Sequence, residues 1–263
     1  MTLLTFIIPV RHQDNSSNWA RLKENLAQTI SSISAQTSSD WRAVIVANEG
    51  ADLPNLPERF EVERVHFPPN VLHERQNSSA EDFMDAFRFD KGRRVLKGML
   101  SAADSRYFMI VDDDDLVSAD LASFVGEHAG ANGWYIRQGW LWTDGGSLMM
   151  RTDRFNKLCG TCLIVRSDLY ALPARFEDAD PQFIMRLLGS HSGVATHFEE
   201  LGTPLESLPF KGAVYRVGYS GSHSGTAGVL RKCFDTRNPM VLIERLRKLK
   251  YVSPSVRREF FGG

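Results

Sequence analysis

Four successive aspartates, Asp112-Asp113-Asp114-Asp115, carry the strongest chemical signal in this sequence. Neighbouring carboxylates repel one another and resist ionising together in a folded protein. A divalent cation relieves that repulsion. Mg²⁺ and Mn²⁺ favour oxygen ligands, and commonly take one or two carboxylates together with substrate phosphates. The acidic run directly follows Tyr107-Phe108-Met109-Ile110-Val111, which has the character of a strand covered on both faces. Open α/β sheets bind ligands at the carboxyl ends of such strands. The chemistry expected there is a metal-held diphosphate, with the metal offsetting charge on a leaving group. A solvated acidic turn is the plainer alternative, and the apolar strand before it argues against that.

Other polar residues stand where they could serve the same chemistry. Lys91, Arg93, Arg94 and Lys97 precede the acidic strand. Three- and four-residue spacings share a helix face, so Lys91 and Arg94 could point together at a diphosphate, or belong to a solvated basic face. Arg11 leaves the carboxyl end of the first apolar run and could face the same ligand. Glu177-Asp178-Ala179-Asp180 leads into Phe183-Ile184-Met185-Arg186-Leu187. Carboxylates at a helix start are stabilised as anions, and Asp there is equally common as a structural cap. His223 lies in Gly221-Ser222-His223-Ser224-Gly225, a segment suited to folding over a ligand and offering an imidazole to Mn²⁺. His191 and His197 are weaker candidates. Trp134, Tyr135, Trp140 and Trp142 could stack on sugars but read better as core. Cys159 and Cys162, in an apolar stretch, read as packing.

Elements must hold these groups. Leu3–Val10 and Arg42–Ala47 read as buried strands. Between them Leu22, Leu26, Ile30 and Ile33 form a helical stripe that starts after Asn18, a suitable cap. Strand, helix, strand implies a parallel sheet. Val62–Phe67 reads as a strand nearer an edge, Lys91–Ala103 as a helix, and Tyr107–Val111 as the strand that ends in the acidic run. Beyond it the pattern predicts a short helix from Ser118 to His128, strands at Tyr135–Trp142, Cys159–Val165 and Ala213–Val217, a loop at Ser147–Phe155, and helices at Asp178–Leu188 and Val241–Lys250. The expectation is one α/β domain over 1–263. Residues 1–117 would form a nucleotide half on a mostly parallel central sheet flanked by helices, and 118–263 a more mixed acceptor half.

Phe6-Ile7-Ile8-Pro9-Val10, the helix after it, Val44-Ile45-Val46-Ala47-Asn48-Glu49, and Tyr107 to Asp115 resemble the successive core elements of family 2 glycosyltransferases with the Rossmann-like GT-A fold. The likeness is good over the first half and loose over the second. It implies that Pro9 opens a nucleotide-sugar site and that Asn48 and Glu49 stand where the family has acidic residues for base or ribose. Asn48-Glu49-Gly50 departs from the family's paired aspartates. Asp112 and Asp114 match the Asp-x-Asp motif, with Asp113 between them, Asp112 on ribose, and Asp114 on Mn²⁺ or Mg²⁺. Asp115 is the extra acid common in the family, and His223 answers to its late metal-binding histidine. Lys91 and Arg94 would meet the diphosphate, and Arg11, from its place after the first strand, could face the nucleotide. Asp178, then Asp180, would take the proton of an acceptor hydroxyl in an inverting transfer to a glycan or lipid-linked acceptor.

Composition narrows the field. Thirty-one Lys and Arg balance thirty-two Asp and Glu, so bulk charge gives no case for nucleic acid. Three scattered Cys imply no disulfide framework, and a cytoplasmic setting is the simplest expectation. No apolar run approaches membrane-spanning length. Arg245, Arg247, Lys248, Lys250, Arg257 and Arg258 could touch anionic lipid heads at the inner face of a membrane, or form the solvated face of a capping helix. Two rivals stay open. A sugar nucleotidyltransferase would want a glycine-rich loop after the first strand, and Pro9-Val10-Arg11-His12-Gln13 has none. A catalytically silent carbohydrate- or nucleotide-binding protein could share the fold.

Overall fold

The protein is described by a computed structural model over residues 1–73, 79–219 and 226–263. The chain runs β1 (Thr2–Pro9), α1 (Trp19–Ser34), β2 (Trp41–Asn48), β3 (Phe60–Val65), α2 (Ala80–Ser101), β4 (Ser105–Ile110), β5 (Leu116–Val117), α3 (Leu121–Glu127), β6 (Gly133–Tyr135), β7 (Gly139–Thr143), β8 (Leu148–Thr152) and β9 (Leu163–Arg166). It continues through α4 (Pro181–Phe183), α5 (Val194–Glu200), β10 (Glu206–Ser207), β11 (Ala213–Val217), α6 (Val229–Phe234), α7 (Pro239–Arg247), β12 (Leu249–Tyr251) and α8 (Pro254–Phe260).

The apolar runs form the centre because helices cover them. β1 lies parallel between β2 and β4, with Ile7 level with Val44 on one side and Ile110 on the other. Leu4, Phe6, Ile7 and Ile8 are fully buried. Asn18 caps α1 by accepting from the Arg21 backbone N–H at 2.9 Å. The stripe Leu22, Leu26, Ile30, Ile33 is the buried face. α2 approaches β1 and β2 closely at Gly98, where a Cβ would stand 2.9 Å from Ile7 and 2.8 Å from Val46. After β2 and β3 the chain reverses and re-enters on the other side of β1 as β4. The crevice between the carboxyl ends of β1 and β4 is therefore the switch point of the sheet.

One central sheet was the expectation, and two are present among the described residues. The first has the order β10-β6-β9-β4-β1-β2-β3, and the second β12-β8-β7-β11-β5. Both mix parallel and antiparallel pairs. The stretch Tyr135–Trp142 is not a single strand. It breaks at Ile136–Gln138, so β6 pairs with β9 in the first sheet and β7 with β8 and β11 in the second. Gly139 makes the crossing possible: a Cβ there would stand 2.2 Å from the Phe155 ring. Leu116, Trp140, Trp142, Met149 and Val214 pack under the second sheet with Val256 and Phe260 of α8.

Other elements differ from the sequence reading for local reasons. α2 starts eleven residues earlier than Lys91, where Ser79 accepts from the Asp82 N–H at 3.1 Å. Glu81 and Asp82 suit the positive end of the helix, but the helix as a whole is too weakly amphipathic to announce its start. The expected loop at Ser147–Phe155 contains β8, whose Met149 and Met150 are buried. Cys159 and Cys162 precede β9 instead of lying in it. The expected helix Asp178–Leu188 is a 3₁₀ turn (Phe176–Asp178), then α4, then a π-helical turn (Ile184–Leu188) closed by the Gly189 N–H on the Ile184 carbonyl at 2.8 Å. The short helix before His128 begins at Leu121, after Asp120. Among the described residues no helix is long and apolar enough to cross a membrane.

Candidate functional site

The acidic run is a tight turn between β4 and β5, closed by the Asp115 N–H on the Asp112 carbonyl at 3.2 Å. Its four carboxylates leave in different directions and meet different partners. Asp112 is held by the Lys91 ammonium, which reaches it from α2. Asp113 is almost buried and lies 3.9 Å from the Arg11 guanidinium. Asp114 accepts from the Tyr219 hydroxyl. Asp115 is fully buried. Its carboxylate accepts from Thr161 Oγ1 at 2.6 Å, Cys159 Sγ at 3.0 Å and the Arg216 N–H at 3.3 Å.

These environments shift protonation in ways that follow from burial and neighbours. Burial pushes the Asp113 carboxyl up to about 7, against the pull of Arg11. Burial, then the Asp112 charge, raises Asp114, while the Tyr219 hydrogen bond opposes the rise. Asp115 stands well above the usual carboxylate range through burial and the neighbouring Asp114 and Asp112. Burial works against a charge on Lys91, but the Asp112 carboxylate outweighs it and keeps the ammonium protonated. Burial likewise pushes the Cys159 and Cys162 thiols up, so both are inert packing groups, and Cys159 doubles as a donor to Asp115.

A cavity of about 280 Å³ opens at the switch point. Of the residues singled out from the sequence, Pro9, Arg11, Lys91, Arg94, Asp112, Asp113 and Asp114 line it, as does the weaker candidate His191. Asn48, Glu49, Asp115, Asp178 and Asp180 do not. Asn48 is buried, accepts from Arg94 Nη1 at 2.7 Å and donates to the Phe67 carbonyl at 2.7 Å. Arg94, only 1% exposed, is also gripped by Asp90. It forms part of the cavity floor, not a mobile basic face. The Glu49 side chain is exposed beyond β2. Asp178 pairs with Arg175 at 2.8 Å, and Asp180 caps α4 by accepting from the Gln182 N–H at 2.8 Å. His223 lies outside the described residues.

The structure brings forward His191, a weaker candidate from the sequence, and supplies further groups that the sequence did not mark. The π-turn delivers Gly189-Ser190-His191-Ser192 to the cavity wall. Two close approaches seat it on α2. A Cβ on Gly92 would stand 2.2 Å from the Ile184 carbonyl oxygen, and one on Gly189 would stand 1.9 Å from that of Arg88. Because Gly92 follows Lys91 directly, the same contact positions Lys91 and His191. Burial, then the Lys91 charge, lowers the His191 pKa, while Asp112 and a backbone hydrogen bond with Lys157 oppose the shift. Gly160 passes so close to the ion pair that a Cβ would be 2.7 Å from Asp112 Oδ2 and 2.8 Å from Lys91 Nζ. Arg216, fully buried, donates to the Asp114 carbonyl at 2.8 Å and to Gln28 at 2.9 Å, and pairs with Asp144. A lone arginine in the apolar run Ala213–Val217 was the available signal for it. Tyr219 left none.

The donor set suits a hard divalent cation in part. Among the described residues no three His, Cys, Asp or Glu side chains group into a metal cage. Mg²⁺ and Mn²⁺ sites that use substrate phosphates need only one or two carboxylates, and Asp112 and Asp114 on the cavity wall meet that requirement.

No family model matches the sequence, and no curated protein matches it. Among solved structures, the chain is similar to S. aureus TarS at 13% identity and a TM-score of 0.47. That alignment covers 82% of this chain and 37% of TarS, so the chain spans little more than a third of it. It is also similar to the Rv0371C protein of Mycobacterium tuberculosis H37Rv, solved in complex with manganese, at 9% identity and a TM-score of 0.34. There 81% of this chain and 90% of the other are covered. At these scores neither likeness bears on chemistry. The fold and cavity define an α/β protein with a switch-point site of mixed charge.

Proposed function

We propose that the chain is a glycosyltransferase that takes a sugar from a nucleotide-diphosphate-sugar donor and passes it to a hydroxyl of a glycan or lipid-linked acceptor. The observation that carries this reading is the convergence of Arg11, Lys91, Asp112 and Asp114 on one cavity at the carboxyl ends of β1 and β4. Cations there suit a diphosphate, and carboxylates suit ribose hydroxyls and a metal. In this reading Lys91 and Arg11 meet the diphosphate and Asp112 the ribose, with Pro9 and Asp113 forming the wall behind them. Arg94 and Asn48 support the floor. Glu49 is left as an outer contact for the base.

Mn²⁺ or Mg²⁺ would be held by Asp114 with Asp112, and His223 remains the proposed late ligand. When bound, such an ion offsets charge on the departing diphosphate. Asp115, engaged on all sides within the protein, braces the turn. For an inverting transfer we assign the acceptor's proton to the His191 imidazole, ahead of Asp178 and Asp180. His191 lines the cavity, and its lowered pKa keeps the ring neutral and able to accept a proton near pH 7.

The deciding experiment is a thermal-shift panel of UDP-, GDP- and dTDP-sugars with and without Mn²⁺. A metal-dependent rise in Tm for one nucleotide class, abolished by Asp114→Ala, supports the donor site. No shift with any donor, at concentrations above the usual ~1 μM to ~1 mM Michaelis range, overturns it.

A further inference from the structure

The C-terminal helices carry a surface that the cavity does not use. α6 exposes Leu230 and Phe234, four residues apart and so on one helix face. α7 exposes Met240 and Ile243, three apart, and then Leu246. Met240 is 75% and Phe234 59% exposed, and no residue of α7 is fully buried. Clustered large apolar side chains in this state mark an interaction surface, whereas scattered single ones are ordinary. The two helices are fastened together, because Arg245 Nη1 of α7 donates to the Lys232 carbonyl of α6 at 2.8 Å and to the Asp235 carbonyl at 2.9 Å.

The charge of the same segment identifies its partner. Residues 229–251 hold seven Lys and Arg against two acidic residues, in a chain whose net charge is −1. Arg231, Arg237 and Arg247 are exposed beside the apolar residues. Two copies of such a surface would repel each other, which disfavours self-association. Apolar side chains flanked by cations match the interface of an anionic bilayer, where rings and alkyl groups enter the headgroup boundary and cations meet phosphates. Among the described residues no helix can span a membrane, so attachment by this surface is peripheral.

We propose that α6 and α7 together form a docking surface for an anionic lipid bilayer. The proposal stands independently of the transfer chemistry assigned above. α6 is tethered close to the cavity: the Val229 N–H donates to Thr143 Oγ1 at 2.7 Å and the Gly218 N–H to the Thr226 carbonyl at 3.0 Å. Gly218 is followed directly by Tyr219, which holds Asp114. A bilayer docked here would lie one short chain segment from the site.

The test is co-sedimentation of the full chain with vesicles of phosphatidylcholine alone and of phosphatidylcholine containing about one-third phosphatidylglycerol. The expected result is binding at least about tenfold tighter to the anionic vesicles, weakened by salt. The triple variant Phe234→Ser, Met240→Ser, Ile243→Ser should lose that binding and keep its Tm, since these side chains are exposed. Arg237→Glu with Arg247→Glu should lose it as well, and decides the matter should the triple variant fold poorly. Absence of binding to either vesicle overturns the proposal. So does concentration-dependent dimerisation abolished by the same variants, which would make the surface a contact between copies.

Discussion

Arg216 grips the acidic turn at two points, with Nε on the Asp114 carbonyl and its own backbone N–H on the Asp115 carboxylate. The strand carrying it belongs to the second sheet, and the turn runs from β4 of the first sheet into β5 of the second. Arg216 thus braces the chain where it crosses between the two sheets. Arg216→Met leaves Asp144 with Arg21 alone and takes the side-chain half of the clasp from the turn, while the backbone N–H on Asp115 stays. Removing one member of a buried ion pair costs about 3–5 kcal/mol, and the remaining Arg21 pair places the expected loss at the lower end of that range. Urea denaturation should show a loss of that order, and a loss under about 1 kcal/mol would mean that the pair behaves as a surface contact.

Lys91 should matter for binding more than for folding. Lys91→Met removes the cation facing the diphosphate and frees Asp112 to repel it. We expect donor affinity to fall at least about tenfold, or ~1.4 kcal/mol, as measured by calorimetry. Unchanged affinity would remove Lys91 from the donor site.

Gly160 provides a steric test of the same pair. Gly160→Ala places a methyl group against Asp112 and Lys91, both flexible at their ends. The fold should survive, with Tm changing by about 4 °C or less, while donor binding weakens. A large fall in Tm would show that the backbone at Gly160, not the ion pair, yields.

Asp113 links stability to pH. Its folded pKa of about 7 lies above the ordinary carboxylate value that the unfolded chain would show. Between the two values the folded state holds the extra proton, so stability is fully present below about pH 4 and is lost as pH rises through about 7. Asp115 and Asp114, also raised, act in the same direction. Without metal, Tm should fall between pH 5.5 and pH 8, and Asp113→Asn should flatten that slope. An equally steep slope in the variant would assign it to other groups.

His191 has the opposite sign. Its folded pKa is depressed, so the neutral ring prevails above the ordinary histidine value, and activity is lost as pH falls through the folded value. His191→Gln should lower kcat by about 10²- to 10⁴-fold and leave the donor thermal shift intact. A variant that keeps kcat, with Asp178→Ala losing it, returns the base to the acidic pair.

The sequence exposed what local physics decides. β1, β2 and β4 were legible because strands buried on both faces are continuously apolar, and the acidic run was legible because charge follows that stretch abruptly. Asp115 was not separable from Asp114, since adjacent residues of a turn leave it in unrelated directions. The division into two sheets was hidden, because Ile136–Gln138 carries no breaker and only long-range pairing separates β6 from β7. Tyr219 and Arg216 reach the site across more than 100 residues, counted to Asp114. His191 arrives through a π-turn whose sequence, Ile184-Met185-Arg186-Leu187-Leu188, reads as ordinary helix.

The seam between α2 and the π-turn makes the cavity lopsided. On that side backbone lies on backbone at Gly92 and Gly189, with no side chain between to rearrange, so the wall bearing Lys91 and His191 behaves as masonry. The facing wall is made of loop, where Asn15 and Asn70 exchange two amide hydrogen bonds, of 3.0 and 2.7 Å. That wall, held by two hydrogen bonds and not by such a seam, is the one expected to yield to a guest, while the seam holds the cation and the imidazole in step.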